Sequence, residues 1–538
     1  MHLTDSGISN KSGWREAGIS LPAFDRAAAI KRTDEAPEWI HFGAGNIFRA
    51  FPAALQQKLL ETGEASTGII VAEGYDYEII DLAYRPHDNL SLLVTLRADG
   101  SIDKTVIGSV TRSLKADSGN AEDFGRLRKI FRAPSLKMAT FTITEKGYSL
   151  TRGDAFLPDV EVDFKRGPEK PGSYMGKIVA LLYERYAHGA LPIAMVSLDN
   201  CSHNGTKLEN AVLAFAKKWV ENGLADKGFG EYLTDPRKVS FTWSMIDKIT
   251  PRPDAGVKAM LEKSGFEDTE SIITSKKTYV APFVNSEQAQ YLVIEDKFPN
   301  GRPPLEKAGV IFTDRETVDK VEKMKVCTCL NPLHTALAVF GCLLGYKKIC
   351  DEMTDADLKA LVKGIGYDEG LPVVVNPGII SPKAFLDEVI GVRFPNPFMP
   401  DTPQRIATDT SQKLSIRYGE TIKAYLASNS LDIGKLRLIP LTLAGWCRYL
   451  TGIGDDGEPF AVSPDPMYDS LIKQLGGLKL GQKGPFGDVL RPILSNKAIF
   501  AVDLYEAGLA QAVEDDFALF MSGPGAVRST LHRFVSKH

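Results

Sequence analysis

The sequence predicts an α/β protein, with a doubly wound, mostly parallel sheet in its N-terminal part and a largely α-helical C-terminal part. Three observations predict this. Short β-branched and aromatic runs alternate with amphipathic stretches over roughly the first 300 residues. A glycine turn joins the first of these runs to a helix. Further on, the alternation gives way to apolar residues at helical spacing. A chain of 538 residues is too long for one ordinary core. Two domains are therefore expected, over residues 1–300 and 301–538.

Taken in order, residues 1–36 read as a polar lead-in. EWIHFGAGNIFRAF (38–51) reads as a buried strand, a tight turn and a helix. GIIVAEG (68–74), LSLLVTL (90–96), KMATFTIT (137–144) and LPIAMVSLDN (191–200) read as further strands, with MGKIVALLYERYA (175–187) an amphipathic helix before the last. EDKFPNGRPPLEKAG (295–309), rich in Pro, Gly and charge, reads as a linker. Beyond it, helical periodicity runs through 331–345, 355–366, 385–394, 414–428 and 495–521.

Composition narrows the function. The chain is 43% hydrophobic and 25% charged, with a formal net charge of −4 and the two signs interspersed. No basic face for nucleic acid is implied, so a small anionic ligand would need local cations. The six cysteines (201, 327, 329, 342, 350 and 447) form no CxxC pair. They read as free thiols in a reducing, cytoplasmic setting. The N-terminus has no hydrophobic signal core, and no run approaches 18 apolar residues, so no membrane span is expected. No HExxH or comparable cluster exists, so no metal site is expected. His41 and His87 read as structural or surface residues.

The turn Gly43-Ala44-Gly45-Asn46-Ile47 sits between strand and helix, as a Rossmann-type dinucleotide site requires. The first glycine permits the sharp turn, the second leaves room for a pyrophosphate, and the helix N-terminus offers free N–H groups. Phe48 stands where the third glycine of GxGxxG would be. Glu73 follows the apolar run IIVA, where an acid would bind the adenosine ribose and repel a 2′-phosphate. That placement favours NAD over NADP. Asp76 is an alternative for the same role.

The segment Glu322–His334 carries the most chemistry. The uncharged run after His334 reads as a buried helix, with Pro332 at its first position and Asn331 as its N-cap. Asn331 and His334, three apart, share a face. Two readings stand on these residues. In one, Asn331 caps, His334 is a satisfied core histidine and Lys325 lies at the surface. In the other, a lysine, an amide and an imidazole surround one substrate oxygen. Hydride reduction of a ketone develops negative charge on that oxygen, which the amide and imidazole stabilise while the lysine supplies the proton. Desolvation suits lysine to that task by lowering its pKa.

Several motifs in a fixed order then resemble a known family. They are FGAGNIFRAF, TEKGY (144–148), SLDNCSHNG (197–205), MIDKITPRP (245–253), the Lys–Asn–His segment and PDTPQRIATDTSQKL (400–414). The chain is similar over most of its length to the polyol-specific long-chain dehydrogenases, the mannitol dehydrogenase family. The resemblance implies NAD as cofactor, a metal-independent reaction and Lys325 as general acid/base. It implies that Asn331 and Asn200 bond the developing alkoxide and that His334 orients the substrate. It further implies a proton relay through Glu145 and Glu322, Asp247 beside the substrate, and Arg405 and Lys413 gripping the substrate's far end. A carboxylate is the natural partner of those two cations. The NPFMPDTPQRIATDTSQKL version of the second motif resembles the uronate reductases of the family. It implies interconversion of D-fructuronate and D-mannonate, with mannitol 2-dehydrogenase or tagaturonate reductase activity as alternatives. A non-catalytic NAD sensor is the alternative from another class. The implied partner is a small keto sugar acid or polyol, and the implied assembly a monomer or small homo-oligomer.

One departure stands out. The family places its lysine five residues before the asparagine, whereas Lys325 is six before Asn331. In a regular helix one residue turns a side chain by about 100°. A bulge or a non-helical lead-in between Lys325 and Asn331 is expected to absorb the difference, with Lys323 as the fallback for the base.

Overall fold

Six strands form the principal sheet: β1 Trp39–Phe42, β2 Ile69–Glu73, β3 Val110–Lys115, β4 Met138–Phe141, β5 Ile193–Ser197 and β6 Val239–Thr242. In the computed structural model, which describes residues 1–536, they lie in the order β6-β5-β4-β1-β2-β3. Every neighbouring pair is parallel. This is the doubly wound order, and its topological switch falls between β1 and β4.

The sheet is buried on both faces, which explains why its strands read as nearly continuous apolar runs. Period-2 alternation then sorts them. Ile40, Phe42, Ile70, Ala72, Ala139 and Phe141 face one core, which also holds Phe124, Leu127 and Phe131 of the helix Ala121–Arg132. Trp39, Ile69, Val71 and Met138 face the other, with Leu55 and Leu59 of the helix Pro52–Glu61.

Two sequence expectations change here. The lead-in contains the helices Asp5–Ser9, Lys11–Glu16 and Arg26–Glu35, and Ile19–Ser20 pairs with Lys104–Thr105. Trp14 is 1% exposed and packs edge-on against Phe266, so this segment is built into the first unit. The strand Ser91–Leu96 joins a second sheet, pairing antiparallel with Ile102–Ile107 and parallel with Phe283–Glu287. The Pro/Gly-rich stretch 295–309 is followed by the strand Ile311–Thr313, which pairs parallel with Tyr291–Glu295.

Two compact units divide the chain, Met1–Arg97 with Ser101–Asp319, and Ala98–Gly100 with Lys320–His538. The second is helical. Every residue of its helix Leu438–Tyr449 is buried, as a central helix requires. The helices Asn331–Leu343 and Ala510–Phe520 pack against it. Glu369 caps its N-terminus, accepting from the N–H groups of Arg437, Leu438 and Ile439 at 2.6, 2.7 and 2.8 Å. The run Arg315–Leu343 is long and apolar enough to cross a membrane by composition. Yet 72% of its most apolar window is buried inside the protein, the mark of a core helix.

Candidate active site

The glycine turn lies at the C-terminal edge of β1, on the switch side of the sheet. Gly43 has φ +106°, and a Cβ there would meet the Thr142 carbonyl oxygen at 2.2 Å, so only glycine fits. A Cβ on Gly45 would meet nothing within 4 Å; it would project into open space where the helix Asn46–Ala50 begins. Asn46 accepts from Arg49 at 2.8 Å, while Ile47 occupies the second position of that helix.

Gly43, Gly45, Glu73 and Asp76 all line one cavity of about 790 Å³, together with Tyr174 and Lys177. Glu73 is 6% exposed. Its carboxylate accepts from the N–H groups of Ala44, Tyr75 and Asp76 at 2.8, 2.8 and 3.1 Å, so it braces the glycine turn against the end of β2. Burial raises its pKa against the pull of those three N–H groups. Asp76 Oδ2 accepts from the hydroxyls of Thr274 and Thr278 at 2.6 and 2.5 Å. Its other oxygen, Oδ1, is buried with no hydrogen-bond partner. An acceptor left open in this way suits a hydroxyl donor entering the cavity. His41, beneath the turn, is fully buried, stacks on Phe48 at 4.2 Å, and meets the hydroxyls of Thr140 and Thr142 at 2.6 and 2.8 Å. It is a structural residue.

Asp199 organises the neighbouring motifs. Its carboxylate accepts from the N–H groups of Ile143 and Thr144 at 2.9 and 2.8 Å and from the Tyr148 hydroxyl at 2.6 Å. Those bonds hold Thr144 at φ +63°, a conformation unusual for a branched side chain. They thereby tie TEKGY to SLDN. Asn200 is exposed. Glu145 is 63% exposed and pairs with Lys207 at 2.7 Å. Asp247 ends the strand Ser244–Asp247 and is 6% exposed.

In the second unit the Lys–Asn–His segment is one helical run with a widened turn. Met324–Cys329 is π-helical, and the Leu330 N–H donates to the Lys325 carbonyl five residues back at 3.0 Å. The expected bulge is therefore a π-turn holding the extra residue. Lys325 is 4% exposed on this turn, whereas Lys323 is exposed and Glu322 half-buried. One expectation fails. Asn331 is the first residue of the helix Asn331–Leu343, Leu330 stands at the N-cap with φ −128°, and no side chain caps the end. The hydrogen-bond ladder nevertheless runs through Leu330, whose N–H bonds the Lys325 carbonyl and whose carbonyl accepts from the His334 N–H, both at 3.0 Å.

His334 lies one turn on, packed against Phe394 with ring centroids 5.1 Å apart. Its Nε2 is 3.4 Å from Asp401 Oδ2, too poorly aligned to count as a hydrogen bond. Burial pushes its pKa down to about 3, and the cations Arg417, Arg405, Arg393 and Lys413 push the same way. The imidazole is thus neutral in a positively charged setting. Arg405 forms an ion pair with Asp401, and Lys413 Nζ donates to the Thr408 carbonyl at 2.5 Å. Among the described residues, no three His, Cys, Asp or Glu side chains are grouped as metal ligands. All six cysteines are free thiols.

Comparison with known proteins places the chain. Residues 37–307 match the mannitol dehydrogenase Rossmann domain, and 317–519 the mannitol dehydrogenase C-terminal domain. D-mannonate oxidoreductase of Thermotoga maritima is 54% identical over 100% of this chain and 99% of its own length. The chain belongs to the mannitol dehydrogenase family. It is an oxidoreductase acting on CH–OH groups. A substrate-free D-sorbitol dehydrogenase superposes with TM-score 0.81 at 26% identity, covering 99% of this chain and 100% of that one. Pseudomonas fluorescens mannitol 2-dehydrogenase, solved with NAD and D-mannitol, superposes with TM-score 0.70 at 25% identity over 100% of both chains.

Within this family member, sequence reasoning passed over Asp199, Asp401, Arg393 and Arg417. Asp199 sits in a quoted motif, but its bonds to residues some 55 positions earlier leave no local trace. Arg417 had a signal: it follows Lys413 by four residues, one helical turn.

Proposed function

We propose that this polyol or sugar-acid dehydrogenase interconverts D-fructuronate and D-mannonate with NAD as cofactor. The observation that carries the reading is the neutral His334 among four cations, Arg393, Arg405, Lys413 and Arg417, at the head of the helix that follows Lys325. Asp401 supplies a counter-charge to Arg405, and a sugar acid brings a further carboxylate to the set that a neutral polyol lacks. The 54% identity to a D-mannonate oxidoreductase supports the same choice.

Gly43, Gly45, Glu73 and Asp76, around one cavity, are the residues to hold the dinucleotide, with Asn46 and Ile47 opening the helix at the turn. The open space beside Gly45 and the unpartnered Asp76 Oδ1 fit a pyrophosphate and a ribose hydroxyl. When bound, the nicotinamide supplies or accepts the hydride. Lys325 Nζ then donates the proton that the developing alkoxide needs, and takes it back in the oxidative direction. The amides of Asn331 and Asn200 bond that alkoxide, and neutral His334 offers an N–H to orient the substrate. Asp247 is assigned beside the substrate, Arg405 and Lys413 to its far end, and Glu145 and Glu322 to proton exchange with solvent. The reaction so written uses lysine rather than a metal.

The test is a rate comparison with NADH across fructuronate, tagaturonate and fructose, each with and without EDTA. Fructuronate should be reduced at least about 100-fold more efficiently than fructose, since charge-assisted bonds to a carboxylate contribute on the order of 1.5–3 kcal/mol each. EDTA should leave the rate intact. Equal efficiency with fructose, or loss of the rate on chelation, would sink the reading.

A further inference from the structure

Arg417 is set apart from the other cations around His334. It lies on a π-helical turn, Ser415–Gly419, which packs against the π-turn carrying Lys325. Its Nη1 donates to the Thr335 hydroxyl at 2.6 Å, and that hydroxyl donates to the Asn331 carbonyl at 2.9 Å. The guanidinium is thereby fastened to the same turn that bears Asn331 and His334. One of its five N–H donors is used in that bond. It forms no ion pair with any described carboxylate, whereas Arg405 is already engaged by Asp401. Burial pushes its pKa down to about 10, so it still carries its charge at neutral pH. A half-buried guanidinium without an anion carries a desolvation cost that a bound carboxylate would offset. Of the nearby acids, Asp401 is held by Arg405, and Asp409 and Asp465 act on Lys413. Asp465 is itself occupied by the Ser411 N–H and hydroxyl at 2.8 and 2.5 Å.

We propose that Arg417 is the specificity-determining residue that receives the substrate's carboxylate, held in place by its bond to Thr335. The inference rests on the reading of the chain as a sugar-acid dehydrogenase and names the residue that makes it one. A planar fork suits a carboxylate better than a lysine ammonium would, since both oxygens are engaged at once. Fastening through Thr335 fixes the distance between carboxylate and reacting carbon, so the substrate's length is read together with its charge.

D-Mannonate and D-mannitol share a carbon skeleton and differ in one terminal group, carboxylate against hydroxymethyl. Oxidation of both by NAD is to be measured for the wild type, Arg417→Met, Arg417→Lys and Arg417→Gly, with thermal melting as a check on folding. The ratio of kcat/KM for mannonate to that for mannitol should fall roughly 30- to 100-fold in Arg417→Met, chiefly through the KM for mannonate, and less in Arg417→Lys. Added guanidinium ion should recover part of the mannonate activity of Arg417→Gly and none of the mannitol activity. If the two substrates lose efficiency in parallel, or guanidinium rescues neither, Arg417 is a structural residue and the inference falls. A wild type that oxidises mannitol and not mannonate would instead overturn the functional reading beneath it.

Discussion

Deleting Val326 should leave a working enzyme, and the reason lies in the π-turn. The Leu330 N–H reaches the Lys325 carbonyl five residues back, while the His334 N–H reaches the Leu330 carbonyl four back in the ordinary way. One residue is thus stored in the widened turn, without altering the helical phase on either side. Removing Val326 closes the turn to an α-turn and restores the family's five-residue spacing, and Lys325 keeps its direction relative to Asn331. Had the run been regular, the same deletion would turn Lys325 by about 100° and shift it by about 1.5 Å. At a side-chain radius of about 5–6 Å that moves the ammonium by roughly 8 Å. Such a displacement forfeits the 10²–10⁴-fold that a placed general acid contributes. The assay is NADH oxidation with fructuronate, alongside thermal melting and NADH fluorescence. The expected kcat lies within about tenfold of the wild type. A fall of about a thousandfold in a deletion variant that still melts normally and binds NADH would refute the reasoning. The lysine would then work only from the open turn.

Two further outcomes follow from the geometry. The proposed mechanism assigns the base to Lys325, 4% exposed, and not to exposed Lys323, so Lys325→Ala should lower kcat by about 10²–10⁴-fold with NADH binding kept, and Lys323→Ala by less than about twofold. The reverse pattern in single-turnover rates would move the role to Lys323. The first unit should be acid-sensitive because of His41, whose pKa burial pushes down to about 3. A histidine depressed from about 6.5 binds protons better unfolded than folded, so its stability contribution is complete above pH 6.5 and drains away as pH falls towards 3. At pH 5 the loss is about 2 kcal/mol. His41→Asn should therefore narrow the gap between melting temperatures at pH 7.5 and pH 5.0 by a few degrees. An unchanged gap would show that His41 is not the group responsible.

Where the sequence was readable, the cause was local. β1 and β2 are apolar on both faces because they lie in the middle of a parallel sheet, and that run stands out wherever it occurs. The glycine turn was readable because Gly43 must hold a positive φ against Thr142. The misplaced spacing of Lys325 and Asn331 was itself a legible sign of the π-turn, since an extra residue in a helix has few places to go. What could not be read depends on partners far along the chain. Ser91–Leu96 looks like any strand, and only pairing with Phe283–Glu287, nearly 200 residues later, assigns it to the second sheet. Glu73 reads from sequence as a ribose ligand; in the structure its carboxylate braces the turn through the Ala44 N–H. Arg417 shows the limit most clearly. Its charge and its distance from Lys413 are on the page of the sequence, but the absence of an opposing carboxylate is a property of the fold. A half-buried cation with no ion pair among the described residues becomes visible only in the folded chain, and that is also why it points to a ligand.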